Sequence, residues 1–273
     1  MTVACGGCLG CRLDRSREWA ARIMHEAQSH DDNCFITLTY DDYHMPRLFT
    51  GGPGTLLKKD FQNFMKRLRK LLAPRKIRYY MCGEYGDKDQ RPHYHACVFG
   101  FDPQDKQLFA VNLDNHIYTS EMMSDTWGRG FVTIGSLTFQ SAAYVARYVM
   151  KKRTGPLAHD HYLRVDNYGV AYWLEPEYNT MSRRPGIGRD WYEKYKDDLF
   201  PSDEVPVPGS GVHKKVPRYY ETILKSEDEL QHEEVKRLRE VFRDSHVDEY
   251  SPQRLMDKYK VKKAQLKYLK REM

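Results

Sequence analysis

Two histidines stand two residues apart in the stretch Arg91-Pro92-His93-Tyr94-His95-Ala96-Cys97-Val98-Phe99-Gly100. Entered through a proline and closed by a glycine, it reads as a strand. Side chains alternate along a strand, so His93 and His95 face one way and Tyr94 the other. Upstream, Arg78-Tyr79-Tyr80-Met81-Cys82-Gly83-Glu84-Tyr85-Gly86 reads as a second strand ending on a carboxylate. The turn formers of Gly86-Asp87-Lys88-Asp89-Gln90 fold the two into an antiparallel pair. That pairing brings Glu84 near both imidazoles. Two imidazoles and one carboxylate can hold a divalent cation and leave coordination positions open. The plain alternative is two surface histidines and a solvated turn glutamate.

Two further groups carry chemistry. Tyr144 and Tyr148 are four apart in Gln140–Lys152, a helix by its alanines and basic C-terminus, so both phenols lie on one face. The alternative for them is an aromatic stripe packed into the core. Cys5, Cys8 and Cys11, spaced by two residues and separated by glycines, can converge on one soft cation such as zinc. A closed zinc site needs a fourth ligand, for which Cys34, His25 and His30 are candidates. The alternative is a flexible terminus with three free thiols.

The elements that must position these groups follow from periodicity. Leu13–Gln28 reads as a helix with Arg12, Arg15, Arg17 and Arg22 off its apolar face, either solvated or set against phosphates. Cys34–Tyr40 is a strand dense in β-branched and aromatic residues, with Thr37 and Thr39 on one face. Leu57–Leu72 is an amphipathic helix. From Lys58 to Arg78 there are nine basic residues against one acid, Asp60, an asymmetry that favours a polyphosphate partner. Lys58, Lys66, Arg67 and Lys70 are therefore candidate DNA contacts, joined by Lys151 and by Arg183 and Arg184 in a glycine-containing basic loop. Trp191, Tyr192 and Tyr195 after it could stack bases or anchor that loop. Residues 101–130 look irregular, and Phe131–Gly135 is a short strand. Residues 201–217 are rich in proline and glycine and read as a linker. Beyond them, 218–273 reads as a helical accessory segment, one helix opened by a capping box of Ser226 and Glu229 and another by Ser251-Pro252.

The 273 residues and the 40% hydrophobic content suffice for one large domain, 1–200, with appendages. The net charge of +6 is locally concentrated, which suits a polyanion. No run approaches the roughly 18 apolar residues of a membrane span. No signal peptide is apparent, so the chain is expected in a cytoplasm, where thiols stay reduced.

Glu84, His-Tyr-His at 93–95 and Tyr-Val-Ala-Arg-Tyr at 144–148 together resemble the HUH endonucleases, the rolling-circle replication initiators. Cys-Gly-Gly-Cys-Leu-Gly-Cys-Arg, Phe-Ile-Thr-Leu-Thr-Tyr, Gly-Glu-Tyr-Gly and Met-Ser-Arg-Arg-Pro-Gly-Ile-Gly are similar to those of the microviruses, gokushovirus type. The resemblance covers roughly residues 5–195. It implies an α+β fold with a central antiparallel sheet flanked by helices, here with a C-terminal helical extension. It implies Mg²⁺ or Mn²⁺ on Glu84, His93 and His95, and attack by Tyr144 or Tyr148 on single-stranded origin DNA to give a 5′-phosphotyrosine link. The freed 3′-hydroxyl would prime a host polymerase in a bacterial cytoplasm. Strand separation would fall to a host helicase, since the sequence has no Gly-x-x-x-x-Gly-Lys-[Ser/Thr] loop. Such families often carry lysine before the second tyrosine. Arg147 stands here, keeping the charge for phosphate contact but not lysine's proton chemistry. Two other classes fit parts of the pattern: a non-cleaving nucleic-acid binder, and an iron oxygenase with two histidines and one carboxylate.

Overall fold

The computed structural model of the chain describes residues 5–49, 52–86, 89–112, 115–147, 155, 157–166 and 168–268. It is an α+β protein built on a seven-stranded antiparallel sheet. The strands are β1 (Asn33–Thr39), β2 (Arg78–Tyr85), β3 (Pro92–Phe99), β4 (Gln107–Asn112), β5 (Asn115–Thr119), β6 (Val132–Ser136) and, after two short strands β7 (Leu163–Val165) and β8 (Ala171–Trp173), β9 (Tyr178–Met181). Their order is β4-β5-β6-β1-β3-β2-β9, so the histidine strand β3 is interior, clamped between β1 and β2.

Strand alternation divides the core in two. One sheet face carries Phe35, Tyr80, Cys82, Cys97 and Phe99. It is covered by α1 (Leu9–Gln28), α4 (Phe139–Arg147) and α6 (Arg189–Leu199). The other carries Ile36, Leu38, Met81, Tyr94, Ala96 and Val98. It is covered by α2 (Lys58–Leu71) and α3 (Glu121–Trp127). Helix α2 docks through the stripe its sequence shows, with Phe61, Phe64, Met65 and Leu68 buried and its lysines outward.

Several expectations change. The stretch 101–130 is not irregular: it holds the hairpin β4–β5 and α3, whose Ser120 caps the helix by accepting from Met123 N–H. Residues 201–217 carry a second hairpin, β10 (Glu204–Val207) and β11 (Gly211–Lys214). Val205 and Val207 are buried in the cluster that also holds α1 and α4, because alternate residues of β10 point inward despite the intervening Pro206. Helix α7 (Arg218–Glu227) joins the same cluster through Tyr220, Ile223 and Leu224. The next helix, α8 (Glu229–Ser245), is capped by Asp228, which accepts from Gln231 N–H, and not by Ser226, which closes α7. Pro252 does open α9 (Pro252–Tyr268). Arg22 is not a solvated cation: its guanidinium lies between the Trp19 and Tyr219 rings and donates to Ile187 O.

His25 ties these parts together. Its ring stacks on Trp191 of α6 at 3.5 Å, Nδ1 lies 2.9 Å from the Tyr220 hydroxyl and Nε2 lies 2.9 Å from Pro206 O. A neutral imidazole satisfies both contacts, donating to the carbonyl and accepting from the phenol. Burial is the main reason its pKa falls to about 4. In the unfolded chain the ring takes up a proton near 6.5, and in the folded protein only near 4. The unfolded state therefore binds more protons between those values. Stability is full above that window and should fall by roughly 3 kcal/mol as pH drops through it. Denaturant titrations at stepped pH should show this slope, and His25→Phe should flatten it while lowering stability at neutral pH.

Candidate active site

Register alone assembles the centre. Glu84 lies opposite His93 across β2 and β3, while Thr37 and Thr39 of β1 lie opposite His95 and His93. Directly opposed residues share a face, so all five point to the side covered by α1 and α4. His93 Nε2 and His95 Nε2 each lie 2.9 Å from the same Glu84 oxygen, Oε1. Glu84 is 1% exposed and His95 6%.

The protons on these rings can be argued. His93 Nδ1 lies 3.0 Å from Arg91 O. A carbonyl only accepts, so Nδ1 carries the proton, and in the neutral ring Nε2 is a bare lone pair aimed at a carboxylate oxygen. His95 Nδ1 lies 2.9 Å from the Thr37 hydroxyl, which can hold that ring the same way. Two lone pairs converging on an anion need positive charge between them, either protons or a metal ion. Burial pushes the Glu84 carboxyl up. Hydrogen bonds from His93 and His95 outweigh it and hold the group at about 2, so it is charged at neutral pH. The three candidate ligand atoms lie within 4.8 Å of one another. A donor set of two imidazoles and one carboxylate fits a divalent cation.

Helix α4 brings Tyr144 to this centre. Its ring meets the His95 ring edge-on, centroids 5.1 Å apart at 89°, and packs edge-on against Phe35. The core reading and the chemical reading of Tyr144 therefore both hold: the ring is 9% exposed and still touches a metal-ligand candidate. Arg147 closes α4. Tyr148 and Lys151 lie outside the described residues.

The residue between the histidines has its own task. Tyr94 points to the opposite face, where its hydroxyl donates to Leu57 O and accepts from Leu57 N–H at the start of α2. It also lies 2.8 Å from the Tyr40 hydroxyl, which donates to buried Asp60. This network fixes β3 against α2 and is not visible in the sequence. Beside it, Gly83 leaves no room for a side chain: a Cβ there would lie 2.8 Å from Tyr178 and 3.1 Å from Leu56 and Tyr94. The strand next to Glu84 thus packs backbone-close. Thr37 is legible in the sequence as a face residue, but its role as the partner of His95 needs the register.

The basic candidates do not gather at this centre. Lys58, Lys66, Arg67 and Lys70 all stand on α2, on the far side of the sheet. Arg67 donates to Thr126 O and Trp127 O at the end of α3, and Lys58 pairs with Glu175. Lys66 and Lys70 are exposed there. Arg183 and Arg184 are exposed in the loop after β9, beside the start of β2. Glu84 is at the other end of that strand, about 20 Å of chain away.

Among known proteins, the chain matches the family of the replication-associated protein ORF2 over residues 33–153. It is 40% identical over 225 residues to replication-associated protein VP4 of Bdellovibrio phage phiMH2K, covering 80% of this chain and 65% of that protein. It is 36% identical over 248 residues to replication-associated protein ORF2 of Spiroplasma virus 4, covering 88% and 73%. It is 29% identical over 231 residues to replication-associated protein ORF4 of Chlamydia phage 1, covering 82% and 53%. The chain thus spans just under two thirds of the Bdellovibrio phage protein and about half of the Chlamydia phage protein. No solved structure matches it.

If Thr37 sets the donor atom of His95, Thr37→Val should weaken Mn²⁺ binding about 10- to 100-fold. Isothermal titration calorimetry would read this, with circular dichroism unchanged from wild type.

Proposed function

The chain belongs to the replication-associated proteins of microvirus-type phages, and from that premise we propose that it is a metal-dependent nicking and joining enzyme acting on single-stranded origin DNA. The observation that carries the reading is the contact between Tyr144 and His95: a nucleophile candidate against a cation-binding trio. Glu84, His93 and His95 would hold Mg²⁺ or Mn²⁺, which when bound supplies charge neutralisation at the scissile phosphate and the leaving oxygen.

The protein's own residues do the rest. The Tyr144 phenol loses its proton and its oxygen bonds to phosphorus, while the bond from phosphorus to the 3′-oxygen breaks. The 3′-oxygen takes up a proton, leaving a free 3′-hydroxyl and a 5′-phosphotyrosine. One phosphodiester bond is exchanged for another, so rejoining is the reverse attack and needs no nucleotide. Tyr148 is the second nucleophile in this reading, so that one phenol holds a 5′ end while the other cuts again. The free 3′-hydroxyl would prime a host polymerase, and a host helicase would open the duplex in the bacterial cytoplasm. None of the described helices is long and apolar enough to cross a membrane. Exposed Lys66, Lys70, Arg183 and Arg184 would contact DNA beyond the cleaved position, Arg147 a phosphate nearer to it.

The test is cleavage of single-stranded origin DNA with Mn²⁺ or EDTA, resolved on a denaturing gel. A metal-dependent, SDS-resistant adduct is expected from wild type and from Tyr144→Phe or Tyr148→Phe alone, and none from the double variant. His95→Ala should slow cleavage by about 100-fold or more, the factor for losing some 3 kcal/mol of charge stabilisation. A double variant that still forms the adduct would overturn the assignment, and DNA-binding protein without any adduct would leave a non-cleaving binder.

A further inference from the structure

Cys5, Cys8 and Cys11 form a second cluster of metal-ligating atoms, separate from the trio on the sheet. The Cys8 and Cys11 sulfurs lie 3.5 Å apart, those of Cys5 and Cys11 3.9 Å, and all three fall within 4.8 Å of one another. Thiolates about 2.3 Å from a tetrahedral zinc ion stand about 3.8 Å from each other. The three sulfurs therefore already have the spacing of three corners of such a site. A disulfide needs sulfurs about 2 Å apart, and all three cysteines are free thiols.

The local backbone agrees. Cys8 is the N-cap of α1, yet no side chain caps the helix and its first turn holds no acid. Its donors turn to sulfur instead: Cys8 N–H lies 3.3 Å from Cys5 Sγ. Hydrogen bonds from the backbone of Cys8 and then Gly7 hold the Cys5 thiol at about 7, well below an ordinary thiol. A chain segment that aims N–H groups at sulfur favours thiolates, the form that binds metal.

The fourth ligands expected from sequence are elsewhere. His25 is held by Tyr220 and Pro206, His30 by Glu26, and Cys34 is buried in β1. His25 stands seventeen residues beyond Cys8 on α1, about 25 Å along the axis. Among the described residues no other His, Cys, Asp or Glu joins the cluster, and Cys5 and Cys8 are exposed.

We propose that Cys5, Cys8 and Cys11 bind one Zn²⁺, with a fourth position open to solvent, and that the ion pins the first turn of α1. Binding converts thiols to thiolates and releases their protons. Because α1 and α4 pack together in one cluster, the ion would steady the layer that carries Tyr144 without touching the trio of Glu84, His93 and His95.

The test uses the full chain, with zinc content by mass spectrometry and Co²⁺ as an optical probe. Wild type and a His93→Ala/His95→Ala variant should each hold one zinc that a thiol-blocking reagent releases. With Co²⁺ both should show a thiolate charge-transfer band and the strong visible bands of a tetrahedral site. Cys5→Ser/Cys8→Ser/Cys11→Ser should lose both signals while keeping wild-type circular dichroism. Chelation of wild type should reduce hydrogen-exchange protection in the first turn of α1. A cobalt spectrum of wild type without thiolate bands would overturn the proposal whatever the variants do, as would undiminished thiol-releasable zinc in the triple variant.

Discussion

The Glu84 carboxylate is almost fully buried yet charged, and the groups facing its Oε1 are two imidazole nitrogens from the neighbouring strand. A buried anion is tolerated only with compensating charge or hydrogen bonds. Here compensation depends on register: a one-residue slip between β2 and β3 would turn the histidines to the opposite face and take both imidazoles from the carboxylate. Much of the surrounding packing serves to prevent that slip. Gly83 lets Tyr94, Tyr178 and Leu56 close on the strand, and Tyr94 bolts β3 to α2 through Leu57, Tyr40 and Asp60.

The two sheet faces consequently do different work. The face under α2 and α3 is a polar-pinned hydrophobic layer that holds the strands in place. The face under α1, α4 and α6 carries the ligand candidates and Tyr144. Separating support from chemistry means that the nucleophile candidate can sit on a helix, outside the rigid sheet, and still meet His95 through ring packing. It also means that the basic stripe of α2 is not beside the reacting centre. Any DNA bound there would have to pass around the sheet edge.

The centre is legible because strands have a period of two and a short turn fixes a register: His93, His95 and Glu84 follow from that arithmetic alone. The rest is hidden for identifiable reasons. Pro206 and the glycines around it mask the alternation of Val205 and Val207, so a core hairpin looks like a linker. Trp191 and Tyr192 look like base-stacking or loop-anchoring rings, although the structure buries them in α6 against α1. Arg22 looks solvated because nothing local shows that Trp19 and Tyr219, far apart in sequence, close over it. The expected fourth ligand of the cysteines fails for His25 on helix length, a distance that composition does not carry.

The account turns on the phenol that meets His95. The most direct measurement is to trap the covalent product with origin DNA, digest protein and DNA, and locate the modified residue by tandem mass spectrometry. The account predicts a nucleotide joined through its 5′-phosphate to the oxygen of Tyr144 or Tyr148. A phosphate on any other side chain, or a link through the 3′ end of the DNA, would contradict it.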